Sequence, residues 1–154
     1  MICIIDLIHE LINPFLISIG VFSSYFVLSG KRALSYKKHI PSLLFDKILS
    51  SILLIISIVM ILMPIILNNS INIVLTVFGV FGLFIGTRDF IAFRSKELLS
   101  KNYLKLHLGK ILGGYISAFT AFIVVNNLFP PLANWLLPGV FGGFYIAYWL
   151  RKLK

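Results

Sequence analysis

Five long apolar runs dominate the sequence, each close to the roughly 20 residues that cross the hydrocarbon core of a bilayer. They cover about residues 7–29, 43–67, 71–93, 106–128 and 135–150. A backbone in hydrocarbon must satisfy its own hydrogen bonds, so runs of this kind predict helices and exclude open strands. The breaks between them carry turn formers and cations: Gly30-Lys31-Arg32, Asn68-Asn69-Ser70, Arg94-Ser95-Lys96-Glu97 and Phe129-Pro130-Pro131. At the last of these, two adjacent prolines remove backbone donors and stop a helix. The expected fold class is therefore all-α, a polytopic transmembrane bundle of five spans forming one integral membrane domain over residues 1–154.

Composition agrees. Of 154 residues, 59% are hydrophobic and 12% charged, and the mean hydropathy is +1.00, which argues against a soluble enzyme and leaves no length for a second domain. The net charge of +9 would point to nucleic acid in a soluble chain, where basic residues form one face with aromatics between them. Here the cations come in separate clusters between apolar runs, so no nucleic-acid partner is expected.

Their placement sets the topology. Lys31, Arg32, Lys37, Lys38 and Lys47 fall between runs one and two; Arg88, Arg94, Lys96, Lys101, Lys105 and Lys110 lie at or between the ends of runs three and four; Arg151, Lys152 and Lys154 follow run five. None lies in the N-terminal segment, in the Asn68 to Asn72 loop or in the Asn126 to Asn134 loop. Five crossings bring every cation to one side, whereas four or six would scatter them. The positive-inside rule then puts the N-terminus outside and the C-terminus in the cytoplasm, as a multi-pass protein of a bacterial cytoplasmic membrane. Trp135, Trp149, Tyr148, Tyr25 and Tyr36 are expected at the lipid–water interfaces.

Cys3 is the only cysteine, which excludes an intramolecular disulfide and fits a buried apolar thiol. The opening Met1 to Asp6 lacks the basic start of a signal peptide, so the first run is read as a retained span. No internal repeat or low-complexity segment is evident, and the glycosylation pattern at Asn68 sits in too short a loop to use.

Small residues define packing ridges, because helices in lipid associate where backbones can approach closely. Gly109, Gly113, Ser117 and Ala121 repeat every four residues in run four, and Gly79, Gly82 and Gly86 lead to Asp89 in run three. These are expected to join runs three and four, or to contact a second copy or another membrane subunit.

The polar candidates cluster on the cytoplasmic side. Arg88 and Asp89 close run three, His107 and Lys110 open run four, and His39 precedes run two. A charge at the centre of an inserting helix costs about 2.5 to 3.5 kcal/mol, so such residues either form an ion, proton or cofactor site or consist of interfacial anchors with Asp89 paired to an Arg or Lys. The second is the simpler. Two histidines at similar depth also meet the minimum for a b-type haem, with His39 and His107 as axial ligands; no other cofactor is expected and no metal set is visible. His9 and Glu10 begin run one on the opposite side and are expected to cap or anchor it. Tyr115, Ser117, Thr120, Asn126 and Asn127 add uncharged polar groups along run four, with Ser117 and Thr120 able to bond back to the preceding turn. No phosphate loop, His-Glu-x-x-His, paired intramembrane carboxylates or hydrolytic triad is present.

The stretch from His107 through Gly109, Gly113, Gly114, Tyr115 and Thr120 to Asn126, followed by Pro131, Trp135, Pro138-Gly139 and Tyr148-Trp149, resembles a group of small multi-pass bacterial membrane proteins described only as predicted membrane proteins of unknown function. Gly86-x-Arg88-Asp89 and His39 are similar to that group's pattern. The resemblance implies the same topology and singles out Asp89, His107 and Tyr115. Two functions follow as expectations. One is a non-enzymatic, transporter-like or accessory membrane subunit whose cluster of Arg88, Asp89, His107, Lys110 and Tyr115 binds an ion or ligand or passes protons. The other is a membrane redox protein with haem between His39 and His107.

Overall fold

A computed structural model of the chain describes residues 14–37 and 40–152. Among these residues the protein is all-helical, with no strand. Its helices are α1 (Pro14–Ala33), α2 (Leu44–Asn68), α3 (Ile73–Ala92), the short α4 (Lys96–Lys101), α5 (Tyr103–Val125) and α6 (Pro131–Lys152), with a 3-10 turn at Leu34–Lys37 after α1. By length and composition α2, α3 and α5 can cross a membrane. The other two long helices occupy the remaining apolar runs. α1 ends on Lys31 and Arg32, while α6 contains Pro138 and a second half rich in Gly, Tyr and Trp, residues that lower hydropathy without shortening a helix. Residues 7–13 of the first run, with His9 and Glu10, lie outside the described residues, as does Cys3.

Helix ends differ from the apolar runs because a helix can continue into cations. The favourable end of the helix dipole holds Lys31 and Arg32 in the last turn of α1, and Arg151 and Lys152 in that of α6. α2 stops at Asn69, whose left-handed φ of 47° suits asparagine and lets its N–H reach the Ile65 carbonyl at 3.1 Å. α3 starts at Asn72, whose side-chain oxygen accepts from the Leu75 N–H at 3.1 Å. Pro131 both ends the preceding segment and opens α6, since a first-turn residue needs no N–H partner. The helix therefore begins four residues before the expected Trp135. Asn134, buried in its first turn, accepts from the Phe129 N–H at 2.7 Å and fixes the connection.

α1 packs along α5, α2 along α3, and α6 on α5; α1 also touches α2 and α3. The buried positions of α2 (Asp46, Ser50, Leu53, Ser57, Met60, Pro64) and of α3 (Leu75, Gly79, Gly82, Gly86, Asp89) alternate by three and four residues, the spacing of a helix–helix seam. A methyl group on Gly82 would overlap the Ser57 hydroxyl, and one on Gly79 would come 2.7 Å from the Ser57 carbonyl oxygen. The glycine ridge of α3 therefore receives α2, not run four as expected. The short Asn69 to Asn72 connection makes α2 and α3 antiparallel neighbours and decides the pairing. In α5, Gly113 faces Phe26 of α1 and Gly109 faces Leu150 of α6.

The bundle is inverted relative to a water-soluble one. Ser18, Ser29, Asp46, Ser50, Ser57, Asp89, Ser117, Thr120 and Asn134 are buried, whereas Ile66 and Ile71 are 72% exposed and Phe144 73%. Contacts of Gly30 with His107, Arg32 with Asp46, Asp89 with Lys110 and Leu150 with Gly109 gather five helix ends, and every described charged residue, at one end of the bundle. The opposite end holds the uncharged connections, where Phe78 and Trp135 meet edge to face with centroids 6.1 Å apart. α4 lies over the charged end and inserts Leu99 among Ala33, Tyr36 and Phe93.

Candidate functional site

Four helices contribute to one buried polar cluster. Asp89 lies three residues from the end of α3, and the glycine ridge behind it brings α3 close enough to α2 for the carboxylate to be enclosed. Lys110, two turns into α5, donates to Asp89 Oδ2 at 2.5 Å, with only 13% and 8% of the two side chains exposed. The Tyr25 hydroxyl of α1 donates to the same oxygen. With its hydrogen committed there, Tyr25 accepts from Ser50 Oγ of α2 at 3.4 Å, and the Lys110 ammonium sits 5.3 Å from the centre of its ring. The result is a continuous chain of exchangeable hydrogens, Ser50 to Tyr25 to Asp89 to Lys110. A carboxylate this enclosed would be costly without its two donors.

A second acid–base pair lies nearer the charged end. Arg32 donates Nε to Asp46 Oδ1 at 2.6 Å and Nη2 to Oδ2 at 2.7 Å, and reaches the Ser42 carbonyl at 3.0 Å. The two parallel contacts hold the last turn of α1 to the first turn of α2, with each charge at the helix terminus that favours it. Tyr36 is buried beside them. Burial pushes its hydroxyl pKa above the ordinary tyrosine range, and the Asp46 carboxylate raises it further.

The five candidates from the sequence separate. Asp89 and Lys110 meet, which matches the expected pairing of Asp89 with a Lys or Arg. Arg88 is exposed and lies 5.6 Å from the Phe84 ring, turned away from the cluster by the helical step between residues 88 and 89. His107 contacts the Gly30 carbonyl through Nδ1 at 2.8 Å; since a carbonyl only accepts, Nδ1 carries the hydrogen. It thereby satisfies one of the four carbonyls that the end of α1 leaves open. Tyr115 is 70% exposed on the outer face of α5. Ser117 and Thr120 bond back to the Gly113 and Ile116 carbonyls at 3.0 and 2.7 Å, so their hydroxyls are spent within their own helix. His39 lies outside the described residues, which leaves the haem pairing with one placed ligand, His107. Among the described residues no three His, Cys, Asp or Glu side chains group as metal ligands.

Tyr25 and Tyr36 were expected near the lipid–water interfaces; the structure buries both inside the bundle, each under 5% exposed. Each follows a stripe of inward-facing positions on α1 and its extension, where a carboxylate from another helix gives the hydroxyl a partner. Ser50, Arg32 and Asp46 were not singled out from the sequence. The available signal was their spacing, since Asp46, Ser50 and Ser57 fall on one stripe of an otherwise apolar run.

The chain matches no known protein family, no curated protein and no solved structure.

Proposed function

We propose that this chain is a five-span membrane protein of a bacterial cytoplasmic membrane, N-terminus outside and C-terminus in the cytoplasm, and that it belongs with the small multi-pass proteins it resembles. In this reading α1, α2, α3, α5 and α6 are the spans and the charged end faces the cytoplasm. The inverted surface supports it, because exposed apolar faces of this extent suit lipid. α6 spans despite its lower hydropathy: Trp149 and Tyr148 are exposed beside Lys152, the arrangement of an interfacial belt. The cations serve orientation, with lipid as the partner they meet.

Within that frame the chain acts as a small transporter-like or accessory subunit that exchanges protons with the cytoplasm. The observation that carries this is the Asp89–Lys110 pair with Tyr25 and Ser50, enclosed among four helices with Asp89 three residues from the end of α3 and Lys110 two turns into α5. Asp89 accepts from Lys110, and Tyr25 and Ser50 extend the chain toward a largely apolar groove between α1 and α2 that runs from Tyr25 and Leu49 to Ile17 and Ile56, away from the charged end. Toward the uncharged end the apolar layer of Phe22, Leu53 and Phe78 covers the cluster, so passage across the membrane requires a second state in which that layer opens. Proteoliposomes with an imposed pH gradient and an internal pH-sensitive dye test this. Wild type should dissipate the gradient faster than empty vesicles, and Asp89→Asn and Tyr25→Phe should remove the difference in vesicles that carry equal amounts of folded protein. No acceleration by wild type, or variants that only lower the folded yield, would make the cluster a structural lock.

A further inference from the structure

The charged end carries a cavity that the proton cluster does not use. It has a volume of about 450 Å³ and lies where the segment 40–43 enters α2, against the end of α3 and the start of α4. It is lined by Ile40, Pro41, Leu43, Leu44 and Phe93, which are apolar, together with Ser42 and two cations, Lys47 and Lys96. Both lysines are exposed, and among the described residues neither has a carboxylate partner. Asp46, next to Lys47 in sequence, is taken up by Arg32, and Glu97, next to Lys96, does not line the cavity. The same ends of α2 and α3 expose Leu44, Ile48 and Ile91.

We propose that this cavity binds the headgroup of an anionic phospholipid of the cytoplasmic leaflet, with Lys47 and Lys96 on its phosphate and the acyl chains along the exposed apolar faces of α2 and α3. The proposal rests on the membrane-spanning reading. Charge and shape select this occupant. The singly charged phosphodiester can accept from both ammonium groups, which have no carboxylate partner among the described residues, the apolar part of the wall accepts a glycerol backbone, and the interface is where such lipids present both parts together. A soluble anion would gain nothing from the apolar walls, and a zwitterionic lipid would set its own cation against the lysines.

Native mass spectrometry of the full chain in detergent, titrated with phosphatidylglycerol, phosphatidylcholine or inorganic phosphate, tests the proposal. At about 1 kcal/mol for each lysine near the surface, Lys47→Gln/Lys96→Gln should weaken phosphatidylglycerol binding about 30-fold, leave phosphatidylcholine unchanged and elute as a folded species. Equal affinity for the two lipids, or a variant that binds as wild type does, overturns it. So does inorganic phosphate that binds alone with the same lysine dependence, which would identify a free-anion site. Carbonate extraction of the expressing cells separates this from the membrane reading. A chain released from membranes contradicts the spanning reading, whereas a retained chain without lipid preference contradicts only the headgroup site.

Discussion

Removing the Lys110 ammonium while keeping the bulk of its side chain, as in Lys110→Met, isolates the contribution of the buried ion pair. Asp89 would then keep Tyr25 as its donor but lose the countercharge at 2.5 Å in a site where its side chain is 8% exposed. Breaking a buried pair by deleting one member costs about 3 to 5 kcal/mol. A hydrogen bond to a charged group contributes about 1.5 to 3 kcal/mol, and since Tyr25 supplies one, the lower end, about 3 kcal/mol, is expected. That is roughly a hundredfold loss in the folded-to-unfolded ratio and a fall of about 6 to 12 °C in midpoint for a chain of this size. Asp89→Asn should cost less, about 1 to 2 kcal/mol, because the long Lys110 stem can carry its charge toward the nearby charged end. The double variant Asp89→Asn/Lys110→Met should be less damaging than Lys110→Met alone, since it leaves no unpaired charge. Unfolding in mixed micelles of dodecylmaltoside and SDS, followed by the fluorescence of Trp135 and Trp149, measures all three. Lys31→Met, an exposed control, should stay within about 0.5 kcal/mol of wild type. If Lys110→Met matched that control, or if the double variant cost the sum of the singles, the pair would not be a buried, coupled unit.

Other expectations follow from the same geometry. Arg32→Lys keeps the charge but not the two parallel contacts to Asp46 or the reach to Ser42, and should lower stability by about 1 to 2 kcal/mol in the same micelle assay. Gly82→Ala should cost about 1 to 3 kcal/mol by forcing α3 away from Ser57 and Phe22. Gly143→Ala, with nothing within 4 Å of the added methyl, should be neutral or slightly stabilising, as paired thermal melts would report. Tyr36 has a hydroxyl pKa raised by burial, so its neutral form stabilises the fold below about pH 10, and that contribution is lost as pH rises through the raised value. Absorbance titration near 295 nm should show Tyr36 ionising later than an exposed tyrosine such as Tyr115, and Tyr36→Phe should remove one tyrosine's amplitude from the late phase and blunt the alkaline loss of stability.

Legibility followed the physical signal available at each level. Hydropathy and the positions of the cations located all five long helices, because in a chain this apolar the breaks are marked by charge, Asn and Pro. Their ends were less legible: Tyr103, Lys105 and Lys152 are helical although they are not apolar, since a helix may run past the surface of its apolar partner wherever its dipole favours the charges it meets. The pairing of Asp89 with a cation was foreseeable from the cost of leaving it alone. Which cation was not, because Arg88 is adjacent in sequence but points off the seam, and Lys110 is brought in only by the packing of α5 on α1. The burial of Tyr25 against Asp89 was not legible, because its amphipathic ring suits an interface equally well. The period that separates the two options, polar residues recurring by three and four within an apolar run, marks the inward face of a helix whose outward face is lipid-like.

The central claim is that every cation lies on the cytoplasmic side of a chain that crosses the membrane five times. Single cysteines at Ser70, Asn127, Lys96 and Lys152, in a Cys3→Ser background, test it with a membrane-impermeant maleimide applied to intact cells. The account predicts labelling at 70 and 127 from outside, and at 96 and 152 only after permeabilisation. Labelling of 70 and 96 from the same side, or of 152 in intact cells, would contradict it.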